Sequence, residues 1–154
     1  IAIAVFVILV TIISLSWDLY QIRFIKKMEY DDMILRTFHA SDSLIKSKGV
    51  PSNWERLYPT TLPQELGLVN LERTIDDEKL AKFRSMAGND IEDMLKIKPY
   101  KFYWVLKNET GAILITHGNP PSGRLNVNIA RLILYKGKPA AMELSIWKPL
   151  NITG

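Results

Sequence analysis

The first seventeen residues, Ile1 to Trp17, contain no charged side chain. Fourteen of them are apolar, and the exceptions are Thr11, Ser14 and Ser16. Eleven are Ile, Val, Leu or Phe. Burying each such side chain is worth roughly 1.5–3 kcal/mol, so leaving the apolar run in water would cost on the order of 15–30 kcal/mol. The run must therefore be covered by lipid, by the rest of its own chain or by other copies of itself.

The length of the apolar run fits a helix better than a single strand. As a helix it would be about 25 Å long at ~1.5 Å per residue, slightly short of the ~30 Å hydrocarbon core of a bilayer, which makes it a marginal membrane span. The hydrophobic region of a signal peptide is another interpretation. It fits less well, because no initiator Met or basic leader precedes the run and no small-residue cleavage site follows it. We expect a chain that starts at Ile1 to be processed or truncated.

A helical pattern continues beyond Trp17, since neither Gly nor Pro occurs until Gly49. Apolar residues recur in steps of three, four or seven, at Trp17, Tyr20, Phe24, Met28, Leu35, Phe38 and Ile45. The polar positions between them mix acidic and basic residues, which is typical of a solvated face. With Gly49 as a helix stop and Pro51 two residues later, the sequence predicts one helix from Ile1 to about Ser47, roughly 70 Å long.

The residues after this helix are expected to form a globular head about 35 Å across. A helix twice as long as the head is wide cannot be covered by it, so about half of the helix should project. The sequence thus predicts an N-terminal helix over residues 1–47 and a head over residues 48–154. Within the helix, residues 1–17 form a hydrophobic spike and residues 18–47 form an amphipathic part that packs on the head.

The head is predicted to be α+β, with two short helices followed by an antiparallel sheet of about four strands. Thr74 and Asp77 have the spacing of a capping box before a helix over Asp77–Ala87, which Gly88 would end. A second short helix would start at Asn89 or Asp90 and run to about Ile97, ahead of Pro99.

After Pro99 the apolar period changes from the helical value to two, the period of a strand. The pattern predicts a meander, with the C-terminal half of the long helix covering its apolar face. The predicted strands centre on residues 100–106, 112–116, 125–135 and 142–146, with a loop over His117–Gly123 and a tight turn at Lys136-Gly137.

The composition argues against several classes of function. The chain has no Cys, which excludes disulfides, cysteine–zinc sites and thiol chemistry. Its net charge of +4 is modest and is not concentrated in a patch, so no nucleic-acid partner is expected. His39 and His117 are far apart in the sequence, and neither a nucleophile elbow nor a Gly-rich phosphate loop is present. We therefore predict no catalytic site, no cofactor and no metal.

Two N-glycosylation sequons are present, Asn108-Glu109-Thr110 and Asn151-Ile152-Thr153. Both lie where a turn or a tail is expected, which is where exported proteins carry sugar. Asn108 and Asn151 are therefore candidate glycosylation sites.

Several segments taken together point to a known family. The apolar run leads into an uninterrupted helix, and Gly49-Val50-Pro51-Ser52-Asn53-Trp54-Glu55 follows it. Leu66-Gly67-Leu68, Lys79-Leu80 and the aromatic stretch Tyr100–Trp104 come later. In these features, which cover most of the chain, the sequence resembles archaeal type IV pilin-like proteins, which are made with a class III signal peptide.

This resemblance implies a structural subunit of an extracellular helical filament on the archaeal cell surface, used in attachment or motility. It implies a subunit that is inserted in the membrane before assembly, cleaved by a prepilin peptidase and polymerised by a membrane platform with an ATPase. In the homopolymer the N-terminal helices would bundle in the core and the heads would lie outside. The expected core residues are Ile1, Ile3, Val5, Phe6, Val7, Ile8, Leu9, Val10, Ile12, Ile13, Leu15 and Trp17.

The sequence departs from bacterial type IV pilins at position 5, where it has Val5 instead of an acidic residue. Registration of subunits by that carboxylate is therefore not implied.

Two alternatives remain open at this stage, a minor pilin and a single-span membrane-anchored domain that binds a ligand outside the cytoplasm. Arg23, Lys26 and Lys27 follow the apolar run, and the positive-inside rule alone would place the head in the cytoplasm. A cleaved basic leader on the other side of the run would reverse that orientation.

Overall fold

The computed structural model describes residues 2–122 and 125–149. The helices are α1 (Ala2–Lys46), α2 (Trp54–Leu57), α3 (Asp77–Ser85) and α4 (Gly88–Met94). The strands are β1 (Val69–Leu71), β2 (Thr74–Ile75), β3 (Lys101–Asn108), β4 (Ile113–Gly118), β5 (Asn126–Tyr135) and β6 (Lys138–Trp147). The predicted α+β class and the single long N-terminal helix are confirmed.

The chain divides into two compact units, Ile1–Asp32 and Met33–Gly154. In the first unit the described side chains are exposed or half-exposed, and none is buried. The second unit contains all of the hydrophobic core.

The last part of α1 contributes one face to that core. Its buried residues, Met33, Thr37, Ala40, Ser41, Leu44 and Ile45, recur at helical spacing. The apolar ones belong to one hydrophobic cluster with sheet residues such as Trp104 and Leu144, so the part of α1 from Met33 onward covers the sheet. Leu35 and Phe38 were expected in the same apolar stripe but are exposed, because they lie on a different side of the helix from Met33 and Ala40.

Polar contacts also join α1 to the rest of the second unit. The Arg131 guanidinium of β5 forms an ion pair of 2.9 Å with Asp42 and lies over the ring of Phe38. The backbone nitrogens of Leu68 and Arg73 donate to the carbonyl oxygens of Leu44 and Ile45.

Within residues 2–122 and 125–149 the sheet has six strands in the order β1-β2-β5-β6-β3-β4, and β2 runs parallel to β5. The prediction of a four-stranded antiparallel meander is therefore wrong in strand number and in strand order. Residues on both faces of β3 and β6 are buried, and such strands are most stable with a neighbour on each side. Strand β4 has no buried residue and lies at an edge. The tight turn at Lys136-Gly137 is confirmed, with φ of 51° and 75°.

The short helices differ in detail from the prediction. The N-cap of α3 is Asp76, whose carboxylate accepts a hydrogen bond of 3.0 Å from the nitrogen of Lys79. Thr74 is not the cap, because it lies in β2, paired with Leu134 of β5. Gly88 is the first residue of α4, whereas the sequence predicted it only as the residue that ends the preceding helix.

Candidate assembly surface

The candidate surface is the part of α1 in the first unit, and its apolar run is exposed throughout the described residues. Ile1 lies outside those residues. The other expected core residues have exposed fractions between 45% at Val10 and 81% at Ile3. They are Ile3, Val5, Phe6, Val7, Ile8, Leu9, Val10, Ile12, Ile13, Leu15 and Trp17.

The backbone of this helix satisfies its own hydrogen bonds, as a segment in lipid or in a dry bundle must. Among its few polar side chains, the Thr11 hydroxyl donates to the carbonyl oxygen of Val7 at 2.8 Å. This bond lets a threonine sit in an apolar environment without an unpaired donor.

Within the described chain, one helix, over Ile3–Lys46, is long and apolar enough to cross a membrane. The helix meets this criterion by its length and composition, and a signal sequence near an N-terminus meets it as well.

The exposed apolar surface continues past the apolar run into residues 18–32, which we call the charged segment. The rings of Trp17, Tyr20 and Phe24 follow one another at centroid distances of 6.3 and 6.2 Å. These rings and Met28 are all more than half exposed. The surface therefore combines an aromatic row with the charges of both signs that lie in this segment.

One sequon lies in the described chain. Asn108 ends β3, and its Oδ1 accepts hydrogen bonds from the nitrogen and hydroxyl of Thr110 and from the nitrogen of Ala112, at 2.7–3.0 Å. These bonds engage the amide oxygen, whereas glycosylation would use Nδ2. Asn108 is thus in a surface turn as predicted, and its modification stays a prediction. Asn151 lies outside the described residues.

The head also carries an open groove of about 610 Å³ beside the last part of α1. Arg36, His39, Glu65 and Lys96 line it. The Arg36 guanidinium is held by the carbonyl oxygens of Lys96 and Lys98, at 2.8 and 3.2 Å.

The two histidines are not brought together. His39 is exposed on α1, and His117 lies in β4 with its ring 5.2 Å from Phe83 and 5.7 Å from Phe102. In the residues that the structure describes, no group of three or more His, Asp or Glu side chains could hold a metal ion.

No family model, curated protein or solved structure matches this chain. The feature that the structure shares with pilins is the long apolar N-terminal helix.

Among the described residues, sequence reasoning missed two buried charges, Lys79 and Glu92, and Glu92 forms an ion pair of 2.8 Å with Lys101. Lys79 is 1% exposed, and its ammonium donates hydrogen bonds to the carbonyl oxygens of Lys48 and Ser52, the latter at 2.8 Å. Burial lowers the pKa of Lys79, and the carboxylates of Glu55 and Asp76 partly oppose that effect. Helical spacing could have found it, because Lys79 shares the buried face of α3 with Leu80 and Phe83.

Three of the four tryptophans lie in the interior of the head. Trp54, Trp104 and Trp147 are buried in the head, as expected of core residues. Trp17 is 61% exposed and belongs to the candidate surface.

Proposed function

We propose that this chain is the structural subunit of a type IV pilus-like filament on the archaeal cell surface, used in attachment or motility. The observation that carries the proposal is the exposed apolar surface of α1. Between Ile3 and Leu15 it presents ten Ile, Val, Leu and Phe side chains, none of them buried. Leaving ten in water costs on the order of 15–30 kcal/mol, more than the ~5–15 kcal/mol that stabilises a typical domain. A cover outside the single chain is therefore required.

Neighbouring copies fit this surface better than lipid alone. The exposed apolar residues extend beyond the uncharged run through Tyr20 and Phe24 to Met28. From Ile3 to Met28 the helix is about 39 Å long at ~1.5 Å per residue, longer than the ~30 Å hydrocarbon core. Arg23 and Lys26 lie within that length and would be expensive to place in lipid. A bundle of copies can cover the apolar residues of the uncharged run and of residues 18–32, and it can leave the charged side chains to pair or to reach water.

The same apolar surface is suited both to the membrane-inserted subunit and to the assembled subunit. An uncharged helix is stable in the membrane before assembly and stable against copies of itself afterwards. Identical subunits that associate through two different patches, by a rotation that does not close, form an open helical polymer. By resemblance to archaeal type IV pilin-like proteins, a prepilin peptidase would process the subunit, and a platform with an ATPase would extract it from the membrane. A minor pilin would use the same surface.

The test is negative-stain electron microscopy of filaments sheared from native cells, with mass spectrometry of the purified fibres. We expect fibres in which this chain is the dominant protein. If shearing releases no polymer and the chain stays with the membrane fraction, the alternative of a single-span anchored binding domain is favoured. The groove lined by Arg36, His39 and Glu65 is the observation that supports that alternative.

A further inference from the structure

The charges of the charged segment are sorted by sign around the helix. At about 100° per residue, Arg23, Lys26 and Lys27 fall within about 100° of one another on one side. Glu29 and Asp32, with Asp18, fall within about 60° of one another, on a side whose centre is roughly 140° from the basic one. Asp31 lies outside both groups, on the same side of the helix as the aromatic row formed by Trp17, Tyr20 and Phe24. The segment thus has a basic side and an acidic side.

The aromatic row lies between these two sides. By the same helical rotation, Trp17, Tyr20 and Phe24 centre about 100° from the basic side and about 120° from the acidic side. An apolar seam with opposite charges on its two flanks is the arrangement by which bundled helices choose their partners and their register. The three basic residues and Asp18 are exposed, and Glu29 and Asp32 are half-exposed, so both sides are accessible.

We propose that the basic side of one copy packs against the acidic side of a neighbouring copy and so sets the axial register of the polymer. This inference rests on the proposed function. The two patches are different surfaces of the same helix, so the contact is heterologous, and such contacts propagate into an open helix unless the rotation closes. The chain has Val5 where a registering carboxylate would lie in bacterial pilins, and the charged segment supplies ion pairs further along the helix.

The spacing of the charges gives the expected stagger. The midpoint of Arg23, Lys26 and Lys27 lies about five residues before the midpoint of Glu29 and Asp32, the two acidic residues that follow them in the chain, which is about 8 Å along the axis. A neighbour displaced by about 8 Å therefore places its Glu29 and Asp32 beside the basic side. A second copy suits this segment better than anionic lipid headgroups, because headgroups would attract the basic side but repel the acidic side.

The test uses the full chain, purified in detergent and polymerised by detergent removal at low ionic strength. One variant carries Lys26→Glu with Lys27→Glu, and the other carries Glu29→Lys with Asp32→Lys. Each variant alone should yield at least about tenfold less sedimentable polymer than wild type, because like charges then meet at every contact. Mixed in equal amounts, the two variants should polymerise again, since an acidic copy can now alternate with a basic one.

The mixture separates contacts between copies from contacts within one chain. Each variant chain keeps its own altered charges in the mixture, so a role confined to one helix would not be rescued. The control variant carries Lys48→Glu with Lys138→Glu, two exposed residues of the second unit, and is matched to the first variant in net charge. It should polymerise like wild type.

Four other outcomes would overturn the inference. Failure of wild type to polymerise, together with the absence of this chain from fibres sheared from native cells, removes the proposed function and the inference with it. Polymerisation of both charge variants at the control level removes the inference and leaves the proposed function standing. A mixture that stays unassembled assigns the charges to contacts within one chain. Loss of binding to phosphatidylglycerol vesicles by the Lys26→Glu, Lys27→Glu variant, with its polymer intact, assigns the basic side to lipid.

Discussion

The indole nitrogen of Trp54 donates a hydrogen bond to the backbone carbonyl oxygen of Gly67, 3.0 Å away. This bond joins α2, in the segment that follows α1, to the chain around Gly67. Gly49 has a φ of +84°, and a Cβ there would lie 2.4 Å from the Trp54 ring, so both the conformation and the space require glycine. The Gly-x-Pro-x-x-Trp segment and the later Gly-Leu pair are thus parts of one packed structure that holds the end of the helix in the head.

Replacing Gly67 by alanine should destabilise the head severely. A Cβ at this position would lie 2.0 Å from the carbonyl oxygen of Ser47, which is backbone and cannot rotate away. We expect a loss of more than about 3 kcal/mol in the free energy of unfolding, measured by urea titration of the chain in micelles. Gly88→Ala is the matched control, because its Cβ would meet only the Phe102 ring, at 3.8 Å. Equal stability of the two variants would contradict the close approach of the two backbones.

Lys79→Met should destabilise the head although it removes a buried charge. The ammonium satisfies the carbonyl oxygens of Lys48 and Ser52, and methionine would leave both without this donor. Both bonds are part-buried, and an acceptor left unpaired away from water costs about 1–3 kcal/mol, so we expect a loss of about 2–6 kcal/mol at most in the free energy of unfolding. Thermal unfolding followed by near-ultraviolet circular dichroism measures the change. A more stable variant would mean that desolvation of the ammonium outweighs its two hydrogen bonds.

The sequence was most informative where a pattern is long. Apolar residues recur with a helical period over residues 2–46 and with a period of two in strands β3, β5 and β6. These patterns extend over enough residues to predict the elements. The order of the strands does not follow, because the pairing of β3 with β6 joins segments that are distant in sequence. Strands β1 and β2 have three and two residues, too few to show a period of two.

The candidate surface was readable from the sequence for a similar reason. An uncharged run such as Ile3–Leu15 has no polar face to turn towards water, so its exposure on a single chain signals a missing cover. The sorting of charges by sign follows from helical rotation alone. The sequence could not show where the helix begins to be buried, since apolar residues occur on both sides of Met33, and only the buried Met33, Ala40 and Leu44 mark the face that meets the sheet.

The stability of the head should fall in mild acid because of His117. Burial beside Phe83 lowers the pKa of His117 from its ordinary value of 6.5, more than a hydrogen bond to the Met86 backbone raises it, and Arg84 lowers it further. The unfolded chain therefore takes up a proton at a higher pH than the folded chain. This contribution to stability is complete above pH 6.5 and is lost as the pH falls from 6.5 through the lower pKa of the folded chain.

Urea titrations at several pH values between 8 and about 4.5 measure this effect. His117→Phe should flatten the dependence in that range, because phenylalanine has no proton to gain and fits against the same two rings. A variant as sensitive to acid as wild type would assign the effect to other groups.

A fragment that begins at Met33 should be a soluble monomer. It corresponds to the second compact unit and retains the buried face of α1 without the exposed apolar residues before it. A fragment that begins at Asp18 retains exposed Tyr20, Phe24 and Met28, and it should self-associate more strongly. Analytical ultracentrifugation compares the two. If the shorter fragment also forms a stable oligomer, the assembly surface lies in the head.

Val7→Asp should abolish the polymer without unfolding the head. Val7 is 56% exposed in the single chain and lies within the apolar run. Assembly would therefore bury an aspartate at this position. The apolar run has no charged side chain, so it supplies no partner for the carboxylate. An unpaired charge transferred to an apolar environment costs several kcal/mol in every copy, and we expect at least about a tenfold loss of sheared filaments. Val7→Leu is the control, because it keeps the surface apolar and should assemble normally. Circular dichroism of both variants should report the same folded head, and normal filaments from Val7→Asp would place this residue outside the filament core.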